Sequence, residues 1–185
     1  AKPDPIYFLR RGNVMDRGPT VSPGAVAAVS GVKPEFGLKK DSSDAARRMS
    51  LANWITNKQN PLFARVMMNR IWHYHFGTGI VSTPNDFGFN GGRPSHKRLL
   101  DWLAFEFQQK GYRLKEMHKL ILTSTVYRQS SRVNKKAFSI DANNRLLWRK
   151  TPHRLEAEAI RDAMLASSGK LNQAQFGPGF IDVKI

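Results

Sequence analysis

One stretch of the chain, residues 69–107, constrains the fold more than any other. Two segments with apolar residues at helical spacing flank residues 77–94, which are rich in glycine, asparagine and proline. The stretch holds three of the five histidines and five of the 14 glycines. It predicts two helices joined by a tight corner, residues 77–94. That corner is either a structural feature or a site.

Capping signals mark the ends of the predicted helices. Asn60-Pro61 is typical of a helix start, and Gly77 suits a left-handed helix end. Residues 41–44 offer N-caps for an earlier helix, and Ser95 is predicted to cap a later one. The pattern also predicts a helix from about Leu114, a loop over residues 129–144, and a last helix that starts at Thr151-Pro152. These are the helices of a mainly α chain.

Residues 1–42 lack helical periodicity and are punctuated by glycine and proline, although residues 6–9 could form a short strand. We therefore expect an extended arm over residues 1–42, which packs on the domain or on a missing neighbour, followed by a helical domain over residues 43–185. The predicted fold class is mainly α, a compact bundle of four to five helices with a long irregular N-terminal arm.

The absence of cysteine narrows the chemistry of this chain. It excludes disulfides, thiolate catalysis, cysteine-ligated metals and covalent attachment of haem c within these 185 residues. No apolar run approaches the roughly 18 residues that a membrane-spanning helix needs, so the sequence predicts no transmembrane segment.

The net charge of +16 is unevenly distributed. Residues 117–155 contain nine basic residues and one acid, Asp141. This pattern indicates either a solvated loop, a contact with an acidic protein or neighbouring domain, or a binding site for an anionic polymer. An aromatic residue among the cations could stack on sugars or bases. The predicted polyanion-binding residues are Lys119, Arg128, Arg132, Lys135, Lys136, Arg145, Trp148, Arg149, Lys150 and Arg154.

Polar side chains within residues 69–96 and in the last predicted helix could instead carry catalysis. His73 and His75 are two positions apart and point away from each other on a regular helix, and recognised metal-binding and hydrolase motifs are absent, so we predict no metal site. Glu158 and Asp162 share a helix face and could converge as paired carboxylates or form surface ion pairs. The candidate catalytic residues are His75, Asp86, His96, His118, Glu156, Glu158 and Asp162.

Several ordered motifs resemble a known family. They are IYFLRRGN, VSPGAV, NRIWHYHFGTGIV, TPNDFG, RPSHKRLLDWLA, MHKLILTSTVYRQSS, ANNRLLWR and HRLEAEAIRDAMLASSGKL. Together they resemble the C-terminal domain of unknown function of planctomycete-type proteins that contain cytochrome c. The resemblance implies an exported parent protein that works outside the cytoplasm, with haem c only in a separate domain and no cofactor in this one.

These observations favour a non-catalytic helical module of an exported multidomain bacterial protein. Its expected partners are the other domains of the parent protein and an anionic polysaccharide or acidic protein. The first alternative is a hydrolase-type enzyme or metal site built from residues 69–96 and residues 154–162. The second alternative is nucleic-acid binding, which we consider less favoured because the common recognition motifs are absent.

Overall fold

The computed structural model describes residues 3–174 and residue 176. This part of the chain contains a two-stranded antiparallel sheet, a short 3-10 turn at Arg10–Gly12 and seven α-helices. The strands and helices are β1 (Tyr7–Leu9), β2 (Arg17–Thr20), α1 (Asp44–Ile55), α2 (Pro61–Phe76), α3 (Lys97–Gln109), α4 (Leu114–Leu122), α5 (Thr125–Arg128), α6 (Lys135–Ile140) and α7 (Ala157–Ser167). The predicted mainly α class is confirmed.

The hydrophobic core forms where α2 and α3 pack against each other and against α4. Its largest fully buried apolar side chains are Met68, Phe107, Leu103, Met117 and Ile121, together with Ile80 from the corner. Burial of each such side chain stabilises the fold by about 1.5–3 kcal/mol. The corner therefore contributes to the core directly.

Local capping explains the helix boundaries that the sequence predicted correctly. The Ser43 side chain accepts a hydrogen bond from the Ala46 amide, and the Asn60 side chain accepts one from the Leu62 amide. Pro61 opens α2, and Gly77 ends it with φ 81°. Each signal lies within a few residues of the boundary that it sets, so it can be read from the sequence.

Three local predictions were wrong. The Ser95 hydroxyl donates to the Ile80 carbonyl instead of capping, and α3 begins at Lys97. Residues 129–144 include α6, and the amides of Lys136 and Ala137 in its first turn donate to the Asn134 side chain. The last helix begins at Ala157, because the Thr151 hydroxyl accepts a hydrogen bond from the Asn144 amide and belongs to the preceding loop.

The arm contains the sheet, which confirms the predicted strand near residues 6–9. Lys40 Nζ donates to Thr20 Oγ1 over 3.0 Å, and an Arg47 guanidinium nitrogen donates to the Lys40 carbonyl over 2.6 Å. These bonds join the arm to α1. The division between residues 42 and 43 stays a prediction.

The chain divides into two compact units, residues 1–151 and residues 152–185. α7 belongs to the second unit. Within the described residues, no helix combines the length and the apolar character that crossing a membrane requires.

Candidate functional site

The corner after α2 is held by one buried amide. Asn69 is fully buried, its Nδ2 donates to the Val81 carbonyl over 3.0 Å, and its Oδ1 accepts from the Val81 amide over 2.8 Å. Gly79 fits beside this pair because a Cβ there would lie 2.4 Å from the Val81 oxygen. At its base, the corner is therefore a structural feature.

Asp86 shapes the outer part of the corner. Its Oδ1 accepts from the Gly88 amide over 2.8 Å, and its carbonyl accepts from the Thr83 hydroxyl over 2.8 Å. A Cβ at Gly91 would lie 2.2 Å from the same carbonyl. The exposed Asp86 carboxylate thus fixes a turn, as aspartate side chains often do in loops.

Two predicted catalytic residues meet although 43 positions separate them. His75 Nε2 on α2 lies 2.8 Å from His118 Nδ1 on α4, with the two rings nearly perpendicular. The Tyr127 ring from α5 packs edge-on against His75 and against Phe76. One imidazole donates its proton to the other, so at least one ring nitrogen of the pair is a neutral acceptor.

Lys150 completes this cluster through contacts with α2 and with Tyr127. Its Nζ donates to the His75 carbonyl, one of the last carbonyls of α2, and lies 4.1 Å from the Tyr127 ring centroid and 4.7 Å from the Phe76 ring centroid. A cation at a helix C-terminus interacts favourably with the helix dipole, and aromatic faces attract it. We call His75, Phe76, His118, Tyr127 and Lys150 the histidine–lysine cluster.

A folded-back segment, residues 129–151, delivers Lys150 to α2, and we call it the basic loop. Its ends are held together, because the Lys150 amide donates to the Ser130 carbonyl over 3.1 Å and Gln129 Nε2 donates to the Leu147 carbonyl over 2.9 Å. Inside the loop, the Asp141 carboxylate accepts from the amides of Arg145 and Leu146. The one acid of the loop is therefore used by its backbone.

Asn144 and Trp148 fix the second half of the basic loop. Asn144 has φ 52°, and its Nδ2 donates to the Arg149 carbonyl over 2.7 Å and to the Thr151 hydroxyl over 2.8 Å. Trp148 Nε1 donates to the Asp141 carbonyl over 2.8 Å. The loop thus presents Lys150 from a backbone that is bonded at several points.

The electrostatics of the cluster favour the neutral form of His75. Burial, and then the positive charges of His118 and Lys150, lower the pKa of His75. Burial also lowers the pKa of Lys150, while its carbonyl acceptor and two aromatic faces favour the ammonium form. We infer that Lys150 is charged at neutral pH and that His75 is neutral. A neutral, half-buried imidazole can accept or donate a proton.

The lowered pKa of His75 predicts that acid destabilises the fold. The folded pKa lies below the unfolded value of 6.5, so the unfolded chain binds more protons between the two values. The contribution of His75 is complete above pH 6.5 and is lost as pH falls through the folded pKa. We expect the urea concentration at the midpoint of unfolding to fall as the pH is lowered from 7.5 through the folded pKa of His75. For His75→Gln, this midpoint should fall less steeply. An equal fall in His75→Gln would contradict this origin.

The remaining histidine candidate, His96, lies outside this cluster. His96 Nδ1 lies 3.1 Å from the Ser95 hydroxyl at the start of α3. Among residues 3–174 and residue 176, no group of three or more histidine, aspartate or glutamate side chains could hold a metal ion.

The acidic candidates lie in the second unit. Glu156 is the N-cap residue of α7 without a side-chain cap, and Glu158 lies in the first turn. Asp162 lies 3.6 Å from the Arg161 guanidinium. Their predicted convergence with the corner stays a prediction.

Most of the predicted polyanion-binding residues lie in the first unit and are exposed. Within the part of that unit that the structure describes, none of them lies within ion-pair distance of a carboxylate. Trp148 is half-buried, with the Arg149 guanidinium 4.9 Å from its ring. Arg154 is exposed in the second unit. The exposed cations of the first unit are Lys119, Arg128, Arg132, Lys135, Lys136 and Arg145.

The sequence did not reveal the role of Lys150 or of Tyr127. Lys150 was grouped with the surface cations, and Tyr127 was not singled out. No local pattern relates either residue to His75, because the contacts join residues 52 and 75 positions apart in the chain.

The chain matches one known family. Residues 47–184, which are 138 of the 185 residues, match the family described as PSD1, protein of unknown function (DUF1553). No curated protein matches the chain, and no solved structure does. The chain therefore belongs to the PSD1 family of proteins of unknown function.

Proposed function

We propose that this chain is a non-catalytic helical module that binds an anionic polymer through the basic loop and the neighbouring cations of α4 and α5. The observation that carries the proposal is the set of exposed cations that have no carboxylate within ion-pair distance in the described part of the first unit. Six basic residues and one acid lie in residues 129–151, and two backbone amides already occupy that acid, Asp141. An anionic polymer would supply the missing negative charge.

The arrangement of the basic loop supports multivalent binding. Its two ends are bonded to each other at residues 129–130 and 147–150, so its cations are confined to one closed segment. Cations held in a fixed segment lose less conformational freedom on binding than cations on a mobile tail. The segment can then engage several charges of one polymer at once.

We also propose that the module belongs to an exported, multidomain bacterial protein of the planctomycete type, with haem c in another domain. The resemblance carried by the quoted motifs is what supports this setting. Haem c needs cysteine thiols for its attachment, and this chain has no cysteine. Outside the cytoplasm, an acidic polysaccharide is the anionic polymer that fits best, and nucleic acid is the competing ligand in the test below.

Reversing two charges of the basic loop should weaken polymer binding about tenfold at low salt, since each cation contributes through the counterions that binding releases. The variant is Lys135→Glu/Lys136→Glu, measured by titration with a sulfated polysaccharide and with DNA. Wild-type affinity should fall steeply as salt rises. Tighter salt-matched binding to DNA than to the polysaccharide would favour the nucleic-acid alternative.

A matched control is available in α3. Lys97 and Arg98 are exposed and open α3 as Lys135 and Lys136 open α6. Lys97→Glu/Arg98→Glu therefore makes the same charge change at the same helix position. We expect this control to bind nearly as well as the wild type. Equal losses in both variants, or no binding at low salt, would contradict a specific role of the basic loop.

A second candidate function is acid–base catalysis at the His75–His118 pair. The observation that favours it is the 2.8 Å contact between two half-buried imidazoles, one of them with a lowered pKa. Incubation with an acidic polysaccharide would then shorten the polymer, as measured by size-exclusion chromatography, and His118→Gln would abolish the shortening. An unchanged chain length with the wild type would reject this candidate for that substrate class.

A further inference from the structure

A small cavity lies where the basic loop meets the corner. Its volume is about 50 Å³, enough for a few water molecules. One wall comes from the end of α2 and the corner, and the other comes from the basic loop. The lining residues are Trp72, Thr78, Gly79, Ser82, Ser95, Asn143, Asn144, Arg145 and Leu147.

Most of the polar side chains that line this cavity are exposed donors without a partner in the described part of the protein. In the described part of the chain, no hydrogen-bond partner is recorded for the side chains of Thr78, Ser82, Asn143 or Arg145. The Ser95 hydroxyl already bonds to the Ile80 carbonyl. No aspartate or glutamate is among the described lining residues, so hydroxyl, amide and guanidinium donors converge without a competing carboxylate.

We propose that this cavity binds one tetrahedral oxyanion group, such as a sulfate or phosphate ester carried by the anionic polymer. The inference rests on the proposed function and names the substituent that gives it selectivity. A guanidinium forms paired, charge-assisted hydrogen bonds to such oxygens, and hydroxyl groups can donate to those that remain. Donors from two walls match an anion whose oxygens point in several directions.

The two walls are fixed before any ligand binds. The Asn69–Val81 bonds hold the corner wall, and the bonds of Asp141 and Asn144 hold the basic loop. Fixed donors lose little freedom on binding, which favours recognition of a single small group. General attraction to the exposed cations would instead tolerate any anion of equal charge.

The direct test uses inorganic sulfate and phosphate with the full chain, by isothermal titration calorimetry at constant ionic strength. Arg145→Gln and Ser82→Ala should each weaken binding about tenfold, as expected when one hydrogen bond to a charged ligand is lost. The matched controls are Arg98→Gln on α3 and Ser131→Ala on the basic loop, which alter exposed residues outside the cavity lining. They should bind as the wild type does. Equal affinity in all four variants, or no saturable binding to the wild type, would overturn the inference.

A second arm separates this inference from the proposed function. A sulfated polysaccharide is compared with a carboxylate-bearing polysaccharide of equal charge that lacks sulfate. The wild type should bind the sulfated polymer more tightly. Ser82→Ala should lose this preference. If Lys135→Glu/Lys136→Glu abolishes polymer binding but Ser82→Ala changes nothing, the cavity inference fails and the proposed function stands. If inorganic sulfate binds in an Arg145-dependent way but no polymer binds, the cavity inference stands and polymer binding fails.

Discussion

Replacing Asn69 with alanine should lower the free energy of unfolding by about 3 kcal/mol. The substitution leaves the backbone amide and the backbone carbonyl of Val81, a buried residue, without their hydrogen-bond partners. An unsatisfied buried donor or acceptor costs about 1–3 kcal/mol, and the small cavity left by the amide adds to that cost. Urea unfolding at neutral pH measures the change. Because the amide links α2 to the corner, this is the largest effect that we predict for a single polar side chain.

Asn53→Ala is the matched control for this prediction. Asn53 lies on α1 and is exposed, and within the described residues its side chain has no hydrogen bond. We therefore expect the stability of Asn53→Ala to equal that of the wild type or to be slightly higher, because alanine has the better helix propensity.

Gly79→Ala disturbs the same corner as Asn69→Ala, since its Cβ would meet the Asn69 amide and the Val81 oxygen. The double variant Asn69→Ala/Gly79→Ala should lose less stability than the two single losses combined. Simple additivity would show that the two residues do not act on one feature.

Replacing Lys150 with methionine should lower the free energy of unfolding by about 2 kcal/mol. Methionine retains most of the aliphatic packing but removes a charge-assisted hydrogen bond to the His75 carbonyl and the contacts with the Phe76 and Tyr127 rings. A hydrogen bond to a charged group contributes about 1.5–3 kcal/mol and a cation–π contact about 0.5–2 kcal/mol, partly offset by the desolvation of the ammonium. Chemical denaturation followed by circular dichroism measures the loss.

Lys136→Met is the control, because Lys136 is exposed on α6 and contributes only surface charge. Its stability should stay within about 0.5 kcal/mol of the wild type. Lys150→Arg keeps the charge and should recover part of the loss. Equal stability of Lys150→Met and Lys136→Met would mean that the histidine–lysine cluster does not hold the basic loop against α2.

The helices and their ends could be predicted where the decisive contact is local. Ser43, Asn60 and Gly77 act within a few residues of themselves, so residue type and spacing were sufficient. The start of the last helix was misplaced because Asn144 binds Thr151. Nothing near residue 151 indicates that its hydroxyl is engaged by a residue seven positions earlier.

The candidate site was predictable only in part. The sequence indicated the corner, the histidines and the excess of cations, since each is a matter of composition and order. It did not indicate that His75 would meet His118 rather than Asp86, because that pairing depends on how α2 and α4 pack. It also assigned Lys150 to the surface, whereas a long-range contact places its ammonium at the end of α2.

The joined ends of the basic loop have a consequence for how this family can diversify. Between Ser130 and Lys150, α6 has no buried residue, and the core is built from other elements. An insertion or deletion near α6 would change the length of the basic loop at a small entropic cost. It would leave in place the hydrogen bonds that join the two ends of the loop. Relatives can therefore vary the number and spacing of charges in this segment, and with them the ligands that they prefer, on an unchanged helical core.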